Sequence, residues 1–592
     1  MTRFLARHAE AVAASAVALV VVGPLLAPGF LLAYDMVFVP HPWFTRALLG
    51  LGPALPRSVP NQLLVTVLSR AIGGEVVEKV ALLGIFFGAA LGAARLTPSR
   101  SAAGRIAAGV LYAWNPFTYE RLLLGQWALL LGYALLAWAV GAAVRLRRGE
   151  RGAWRGVALS LAATAAASPY AGVIAAATVM LVVGCPPWKA GEASGRPIPQ
   201  SGRRLFAASG IALAVNLFWL VPALLHPAFP ERPALATFLF RPRADSPFGT
   251  LGSLLSLGGL WRNDLAPPGR STGAWLPAFL IIAGAAGVGW RALRRRWPDG
   301  ADWGLLVAAG LGLALAAGPI VPGFRAVTDW IGRASLLGGF LRDSQKFVIP
   351  FALLLSVGFG LGVETLLATA RGAGGGMARP AAAVFALLPV ALAPTLAWGG
   401  AGRLHTASYP PSWARAESIM ERDPQSGGVL VLPWHAYLPF RWNGERTVHQ
   451  AAPLYFRRSV LVASSLQAGP YELPAEDPWS RRASPSVEAA GPLTNTLPGL
   501  GIRYVVVFKE ADWRTFPPRL QGLQVALDSP DLRLYRAPTP AAVPKFAGAP
   551  VAPVVVMDVG GLLLILTAVA SAVAETVRRV RRPGWRRVRR PG

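Results

Sequence analysis

The chain has 592 residues, of which 54% are hydrophobic and 15% charged, with a formal net charge of +29. Many apolar runs approach the ~20 residues that a helix needs to cross ~30 Å of hydrocarbon, which excludes a soluble globular protein. The single cysteine, Cys185, excludes an internal disulfide bond and a cysteine-based zinc site. Arginines cluster in short loops between the apolar runs, which is typical of cytoplasmic loops, so we expect membrane lipids and no nucleic acid as partners.

About twelve apolar segments are predicted to span the membrane. They are residues 11–33, 79–95, 104–116, 124–144, 156–169, 170–185, 205–226, 274–292, 303–318, 347–370, 380–398 and 549–574. With the N-terminus inside, every arginine-rich short loop falls on the same side of the membrane, as the positive-inside pattern requires. The sequence therefore predicts a multi-pass protein of a bacterial-type plasma membrane with both termini cytoplasmic.

This threading divides the chain into a membrane module (1–399), an extracytoplasmic α/β domain (400–548), a last helix (549–574) and a basic cytoplasmic tail (575–592). The outer loops of the membrane module are residues 34–78, 227–273 and 319–346. Within the α/β domain, strands are predicted at 427–433, 502–508 and 532–538 and a helix at 411–422. The tail favours anionic lipid headgroups, or serves only to fix the topology.

The first outer loop opens with FLLAYDMVFVPHPWFTR, residues 30–46. Asp35 is predicted at the rim of the first span, followed by His41 and Trp43, where a lipid-linked substrate meets the protein. Two simpler interpretations stay open. In the first, Asp35 only ends a span at the level of the headgroups. In the second, Trp43 belongs to the aromatic belt at the membrane surface. Residues 47–51 and 62–72 are predicted to form short helices lying on the outer interface.

Further polar side chains are predicted at the outer rim. They are Glu120 and Arg121 in YAWNPFTYERLLLGQW, then Arg241, Arg243 and Asp245, then Arg342, Asp343 and Lys346 in FLRDSQKFVIPF. A carboxylate that accepts a proton from an acceptor hydroxyl, beside cations that neutralise a departing phosphate, fits transfer from a phosphate-linked donor. Asp343 and Lys346, one helical turn apart, equally fit an ion pair beside the membrane. Glu120 and Arg121 are adjacent and face different directions, so we expect each to contact other loops.

The chain carries no P-loop, dinucleotide fingerprint, zinc-protease helix or nucleophile elbow. Its layout resembles the GT-C glycosyltransferases that use polyprenyl-phosphate sugars, notably the large actinobacterial arabinofuranosyltransferases. The stretches that carry this resemblance are Tyr34-Asp35, NPFTYERLLLGQW, LRDSQKF and GIRYVVVF. The resemblance implies an α-helical polytopic fold with a small extracytoplasmic α/β domain, and it places Asp35 where the family's catalytic acid lies. Unlike members with paired acids there, this chain has only Glu75 and Glu78 as further acids between 34 and 78.

The predicted function is transfer of a sugar from a polyprenyl-phosphate donor to a cell-envelope glycan or other acceptor on the outer face. Asp35 is the predicted catalytic residue. The predicted substrate-binding residues are His41, Trp43, Glu120, Arg121, Arg243, Arg342, Asp343 and Lys346. No metal site is predicted, and although a divalent metal is compatible with the resemblance, no sequence feature indicates one. The alternative is a non-enzymatic carrier or scaffold for envelope lipid or polysaccharide, in which the same cations hold a headgroup without chemistry.

Overall fold

The computed structural model describes residues 8–186, 201–227, 233–334, 338–372, 378–538 and 542–580. The chain is mostly helical, with a small sheet domain near its C-terminal end. The helices are α1 Ala9–Val22, α2 Asn61–Ile72, α3 Gly74–Leu96, α4 Ala102–Ala113, α5 Pro116–Leu123, α6 Trp127–Arg147, α7 Ala153–Ala167, α8 Pro169–Gly184, α9 Ser201–Leu225, α10 Pro233–Leu239, α11 Gly249–Leu255, α12 Leu276–Arg296, α13 Ala301–Ala317, α14 Pro322–Ala334, α15 Gly338–Leu341, α16 Ile349–Gly372, α17 Ala378–Leu387, α18 Ala397–Ala401, α19 Pro411–Arg422, α20 Ala452–Tyr455, α21 Pro478–Glu488 and α22 Val551–Val580.

Within the described ranges, eight helices are long and apolar enough to cross a membrane. They are Ala9–Leu26, Gly74–Leu96, Trp127–Arg147, Gly202–Leu225, Leu276–Arg296, Ala301–Ile320, Ser344–Arg371 and Val551–Ser571. A pair bent by 80°, Pro380–Leu392 and Pro394–Ala401, makes a ninth if it counts as one span. The protein is thus a multi-pass membrane protein, and the predicted fold class is confirmed, whereas the predicted count of twelve spans is not.

The counting differs because several predicted spans form short or broken helices. Segments 104–116, 156–169 and 170–185 correspond to α4, α7 and α8, which have 12, 15 and 16 residues. Helix α7 ends at Ala167 because Pro169, which cannot donate a helical hydrogen bond, follows Ser168 and begins α8.

The boundaries of the outer loops also need correction. The first helix ends at Leu26, not at residue 33, and α3 begins at Gly74, inside the predicted loop 34–78. The last apolar helix runs over Val551–Val580, and residues 581–592 of the predicted tail lie outside the described residues. The interfacial helix predicted at 62–72 is present as α2, with its apolar side chains Leu64, Val67 and Leu68 exposed.

Small residues let the longest helices approach closely. Helices α12 and α16 cross where a Cβ added to Gly289 would stand 1.8 Å from the carbonyl oxygen of Gly358, and one added to Gly362 would stand 1.9 Å from that of Ala285. No larger side chain fits at either position. Close backbone packing at small residues is how membrane helices gain van der Waals contact without a hydrophobic driving force between them.

The sheet domain follows helix α18. Its strands are β1 Gly428–Leu432, β2 Tyr437–Phe440, β3 Arg446–His449, β4 Val460–Leu461, β5 Leu466–Ala468, β6 Tyr471–Leu473, β7 Ile502–Phe508, β8 Gln524–Asp528 and β9 Leu532–Arg536. The main sheet has the order β4-β1-β7-β9-β8, in which β4, β1 and β7 are parallel and β9 is antiparallel to both neighbours. The predicted strands and the predicted helix 411–422 are confirmed.

Strands β1 and β7 are buried along their whole length, because helices cover both faces of the sheet. On one face Trp413 of α19 stacks on Phe508, with ring centroids 4.6 Å apart. On the other face Trp479 of α21 packs in a cluster with Leu430 and Val505. The face that carries Trp479 therefore has a core of its own, whereas the face that carries Trp413 joins the core of the membrane module. The two hairpins that leave the sheet, β2-β3 and β5-β6, are available to contact the membrane module.

Candidate functional site

A cavity of about 1330 Å³ lies between the membrane module and the sheet domain. Its charged lining residues are Asp35, Arg57, Arg241, Arg243, Arg262, Asp264, Arg342, Asp343 and Lys346. Aromatic side chains, among them Tyr34, Trp127 and Tyr437, line it as well. The predicted residues Asp35, Arg243, Arg342, Asp343 and Lys346, which are spread over more than three hundred positions of sequence, thus face one space.

Asp35 is exposed to the cavity and its carboxylate has two hydrogen-bond donors. The Tyr437 hydroxyl donates to Oδ1 at 2.7 Å, and Gln126 Nε2 donates to Oδ2 at 3.3 Å. No ion pair involves Asp35 within the described residues. Two neutral donors fix the orientation of the carboxylate and leave its charge uncompensated, which is the state that a general base needs.

The backbone around Asp35 is held from both sides. Tyr34 adopts a left-handed conformation with φ of +44°, which costs a non-glycine residue about 1 to 3 kcal/mol. Its N–H donates to the Thr447 carbonyl at 2.7 Å and its carbonyl accepts from the His449 N–H at 2.9 Å, so strand β3 of the sheet domain fixes this conformation. The Asp35 N–H donates to the Leu124 carbonyl at 3.2 Å on the membrane side.

Gly125 permits this contact. Its φ is +74°, and a Cβ there would stand 2.1 Å from the Ala33 carbonyl oxygen and 2.5 Å from the Met36 nitrogen. Only glycine lets the turn after α5 lie against the Asp35 segment, and Gln126 follows it directly.

The cations of the cavity wall differ in their partners: Arg57 pairs with Glu476 and Arg262 with Asp264, whereas Arg342 and Lys346 lie against aromatic rings. Arg342 lies with its guanidinium 4.0 Å from the Phe240 ring centroid, and Lys346 lies 3.5 Å from that of Tyr170 while donating to the Arg342 carbonyl at 2.5 Å. No ion pair joins either side chain to an acid in the described part of the chain. The predicted pairing of Asp343 with Lys346 is therefore wrong.

Asp343 instead pairs with Arg121. The Arg121 guanidinium donates to both carboxylate oxygens of Asp343, at 2.9 Å for Oδ1, and also to Gln345 Oε1 at 2.6 Å and Gln126 Oε1 at 2.5 Å. Asp343 has a left-handed φ of +56° and precedes the helical turn that carries Lys346.

Glu120 and Arg121, which are predicted at the outer rim, are both fully buried. Helix α5 begins with a capping box in which Asn115 Oδ1 accepts from the Thr118 N–H at 3.1 Å, and Pro116 occupies the first helical position. Glu120 Oε2 accepts from Gln345 Nε2 at 2.6 Å. Burial, followed by the nearby charge of Asp245, raises the pKa of Glu120 well above its ordinary value. Both side chains contact other loops, as expected, but neither lines the cavity.

His41 and Trp43 do not line the cavity, although Pro42 and Thr45 beside them do. His41 is exposed, and Trp43 is covered by two guanidinium groups, those of Arg70 at 4.3 Å and Arg457 at 5.0 Å from its ring centroid. These cation–π contacts join the first outer loop to α2 and to the sheet domain. The ring of Trp43 is therefore already in contact with two guanidinium groups.

Two groups of hairpin β2-β3 titrate abnormally beside Asp35. Burial, and then the charge of Asp35, raises the pKa of the Tyr437 hydroxyl well above its usual range, so it stays a donor. Burial lowers the pKa of His449 although the charge of Asp35 opposes this, so the imidazole is neutral near pH 7. Neither Tyr437 nor His449 therefore carries a charge that would neutralise the carboxylate of Asp35.

Comparison with solved structures places this arrangement in a known fold. The structure of arabinofuranosyltransferase AftD from Mycobacteria matches 90% of this chain with a TM-score of 0.59 at 16% identity, and its R1389S mutant matches with a TM-score of 0.58 at 17% identity. The fold of this chain is therefore similar to that of the part of AftD that it matches. This confirms the resemblance to the GT-C fold. The chain spans about 40% of the length of AftD.

Weaker similarity extends to ArnT from Cupriavidus metallidurans, with a TM-score of 0.43 at 12% identity over 91% of this chain and 100% of ArnT. The Archaeoglobus fulgidus oligosaccharyltransferase matches 84% of this chain and 65% of its own, with a TM-score of 0.39 at 13% identity. Both scores are too low to support a conclusion about this chain. No protein-family model and no curated protein matches the sequence.

The sequence does not reveal three side chains of this site. Gln126 lies in the quoted stretch NPFTYERLLLGQW but was not singled out, although it is the polar residue after the glycine turn. Tyr437 and Arg57 carry no local signal, because only the folded sheet domain brings Tyr437 to Asp35 and only the cavity identifies Arg57.

Among the described residues, no three His, Cys, Asp or Glu side chains converge as a metal site would require.

Proposed function

We propose that the chain transfers a sugar from a polyprenyl-phosphate donor to a hydroxyl of a cell-envelope glycan or other acceptor, on the outer face of the membrane. One observation carries the proposal. Asp35, with an uncompensated carboxylate, shares a single cavity with Arg342 and Lys346, which have no carboxylate partners. The AftD-like fold supports a transferase of this kind.

In this reaction Asp35 accepts the proton of the acceptor hydroxyl as its oxygen attacks the anomeric carbon. The bond from that carbon to the phosphate oxygen breaks, and polyprenyl phosphate departs with the bonding electrons. Arg342 and Lys346 stabilise the negative charge that develops on the departing phosphate, because preorganised cations act most strongly where charge appears in the transition state. Tyr437 and Gln126 orient the carboxylate of Asp35 throughout.

A carrier of envelope lipid is the alternative function. The exposed apolar face of α2 fits the chain of a lipid, and the cationic cavity wall fits its anionic headgroup, without any reaction. A carrier has no need for a carboxylate held by two neutral donors in the same space, since such a group repels an anionic headgroup. The position of Asp35 therefore favours the transferase.

The test is transfer of a radiolabelled sugar from polyprenyl phosphate by the purified full-length protein and its Asp35→Asn variant. Asparagine keeps the size of the side chain but cannot accept the proton, so we expect transfer to fall about 100- to 10,000-fold while donor binding stays measurable. Asp264→Asn is the matched control, because Asp264 lines the same cavity but is paired with Arg262.

The control variant is expected to keep activity within a few-fold of the wild type. Full activity of Asp35→Asn would remove Asp35 from the reaction. Specific donor binding without transfer in the wild type, for every donor and acceptor tried, would support the carrier.

A further inference from the structure

The cavity carries more positive charge than the proposed donor can neutralise. Six cationic side chains line it, and only three anionic ones. Two of those acids are already paired, Asp264 with Arg262 and Asp343 with Arg121. A polyprenyl-phosphate sugar is a phosphodiester with a single negative charge, which Arg342 and Lys346 together satisfy. The remaining cations call for another explanation.

Arg241 and Arg243 are the cations left over. They flank Pro242 in the segment after α10, and neither forms an ion pair with an acid in the described ranges. The nearest acid in sequence, Asp245, is committed elsewhere: its carboxylate accepts from Arg270 at 2.9 Å and from the Gly259 N–H at 2.9 Å. Both arginines nevertheless line the cavity.

Arg241 and Arg342 lie over different aromatic rings. Phe238 holds the Arg241 guanidinium at 3.9 Å from its centroid, and Phe240, two residues further, holds that of Arg342 at 4.0 Å. The electrostatic neighbours of the two guanidinium groups differ as well. Burial and then the charges of Arg243 and Arg325 lower the pKa of Arg241, whereas burial and then Arg57 lower that of Arg342.

Like charges brought together in a half-buried cleft repel one another, and nothing in the fold requires them there. Arg241 and Arg243 do not tie elements together as Arg121 does, since within the described residues the only side-chain hydrogen bond that either forms is from Arg241 to the Phe238 carbonyl, at 3.5 Å. Clefts lined by one sign of charge concentrate ligands of the other sign. Guanidinium groups in particular match the planar oxygens of carboxylates and phosphates.

We propose that Arg241 and Arg243 form a second anion subsite in the cavity, which binds a phosphate or carboxylate group other than the donor phosphate at Arg342 and Lys346. This inference rests on the proposed function for the identity of the first anion. The second anion belongs either to an acidic acceptor glycan or to a second phosphate on the lipid donor. The two sources share the same chemistry and are separated by experiment.

The experiment measures equilibrium binding to full-length protein in nanodiscs, wild type beside the double variant Arg241→Gln/Arg243→Gln. Four probes are used: decaprenyl monophosphate, decaprenyl diphosphate, an oligogalacturonate, and a neutral maltooligosaccharide of equal length. Arg46→Gln is the matched control, because Arg46 is exposed in the first outer loop and does not line the cavity.

We expect the double variant to bind the monophosphate within twofold of the wild type. We expect it to lose at least tenfold in affinity for one further anionic probe. Loss for the oligogalacturonate assigns the subsite to the acceptor, and loss for the diphosphate assigns it to the donor. An equal loss for the monophosphate would overturn the proposal, because the arginines would then belong to the donor phosphate site.

The proposal is equally overturned if the double variant binds every probe as the wild type does. It is also overturned if the wild type binds the diphosphate no better than the monophosphate and the oligogalacturonate no better than the maltooligosaccharide. Arg342→Gln separates this outcome from a failure of the proposed function. Unchanged monophosphate binding in Arg342→Gln would remove the donor phosphate site, whatever the double variant shows.

Discussion

Arg121 and Arg342 carry the same guanidinium on neighbouring parts of the molecule, but their surroundings are opposite. Arg121, below the cavity, is fully buried and donates to Asp343, Gln345 and Gln126. Arg342, in the cavity wall, lies over the Phe240 ring and forms no ion pair with an acid among the described residues. A charge that holds the fold together is paired within the chain, whereas a charge intended for a ligand is left without a partner. Three predictions test this distinction.

The largest effect is expected for Arg121→Leu. Removing one partner of a buried ion pair leaves Asp343 without its cation, which typically costs about 3 to 5 kcal/mol in the free energy of unfolding. The measurement is denaturant-induced unfolding of the purified protein in detergent, with Arg46→Gln as the exposed control. A loss below ~1 kcal/mol would show that Arg121 does not hold the cavity floor.

Arg342→Gln should show the reverse pattern. We expect the unfolding midpoint to stay near that of the wild type, because no acid loses its partner. Affinity for polyprenyl monophosphate should fall about 10- to 100-fold, which corresponds to the ~1.5 to 3 kcal/mol of a hydrogen bond to a charged group. Both quantities are measured on the same preparation. A large drop in stability with intact binding would erase the contrast with Arg121.

The sheet domain offers a smaller test at a paired charge. Burial acts to raise the pKa of Asp423, but hydrogen bonds from the Tyr504 hydroxyl, the Gln425 N–H and Arg503 outweigh it and bring the pKa to about 2. A carboxyl whose folded-state pKa lies below its unfolded value of ~3.9 stabilises the fold above that value, and this stabilisation is lost as the pH falls toward 2.

Asp423→Asn should therefore lower the unfolding free energy by about 2 kcal/mol at pH 7. The difference from the wild type should shrink as the pH falls below about 4. Unfolding midpoints of both proteins at pH 7, 4 and 3 provide the measurement. A difference that stays constant with pH would assign the loss to packing and not to the charge.

Local patterns in the sequence predict many helices and strands, but not the contacts between distant segments of the chain. Apolar runs of about twenty residues and the strand runs 427–433 and 502–508 depend on neighbouring residues alone, and these predictions match the structure. The first helix, by contrast, ends at Leu26 because residues 29–34 bond to distant partners, Phe30 to Ala407 and Tyr34 to Thr447. Nothing within the first fifty residues signals that pairing.

The candidate site shows the same division. Asp35, Arg342 and Lys346 are charged residues at the ends of apolar runs, a signal that one segment carries by itself. The ion pair between the buried Arg121 and Asp343 depends on a left-handed backbone at residue 343. The sequence does not predict that conformation, because residue 343 is not a glycine. The hydroxyl of Tyr437 reaches Asp35 only through the docking of a separate domain.

That docking has a consequence for biogenesis. Tyr437 leaves the ribosome 402 residues after Asp35, and strand β3, which fixes the backbone of Tyr34, follows it. While the membrane helices are being inserted, the carboxylate therefore has neither its hydroxyl partner nor a defined backbone. We expect the nascent chain to lack a complete cavity until the sheet domain has folded against the membrane module.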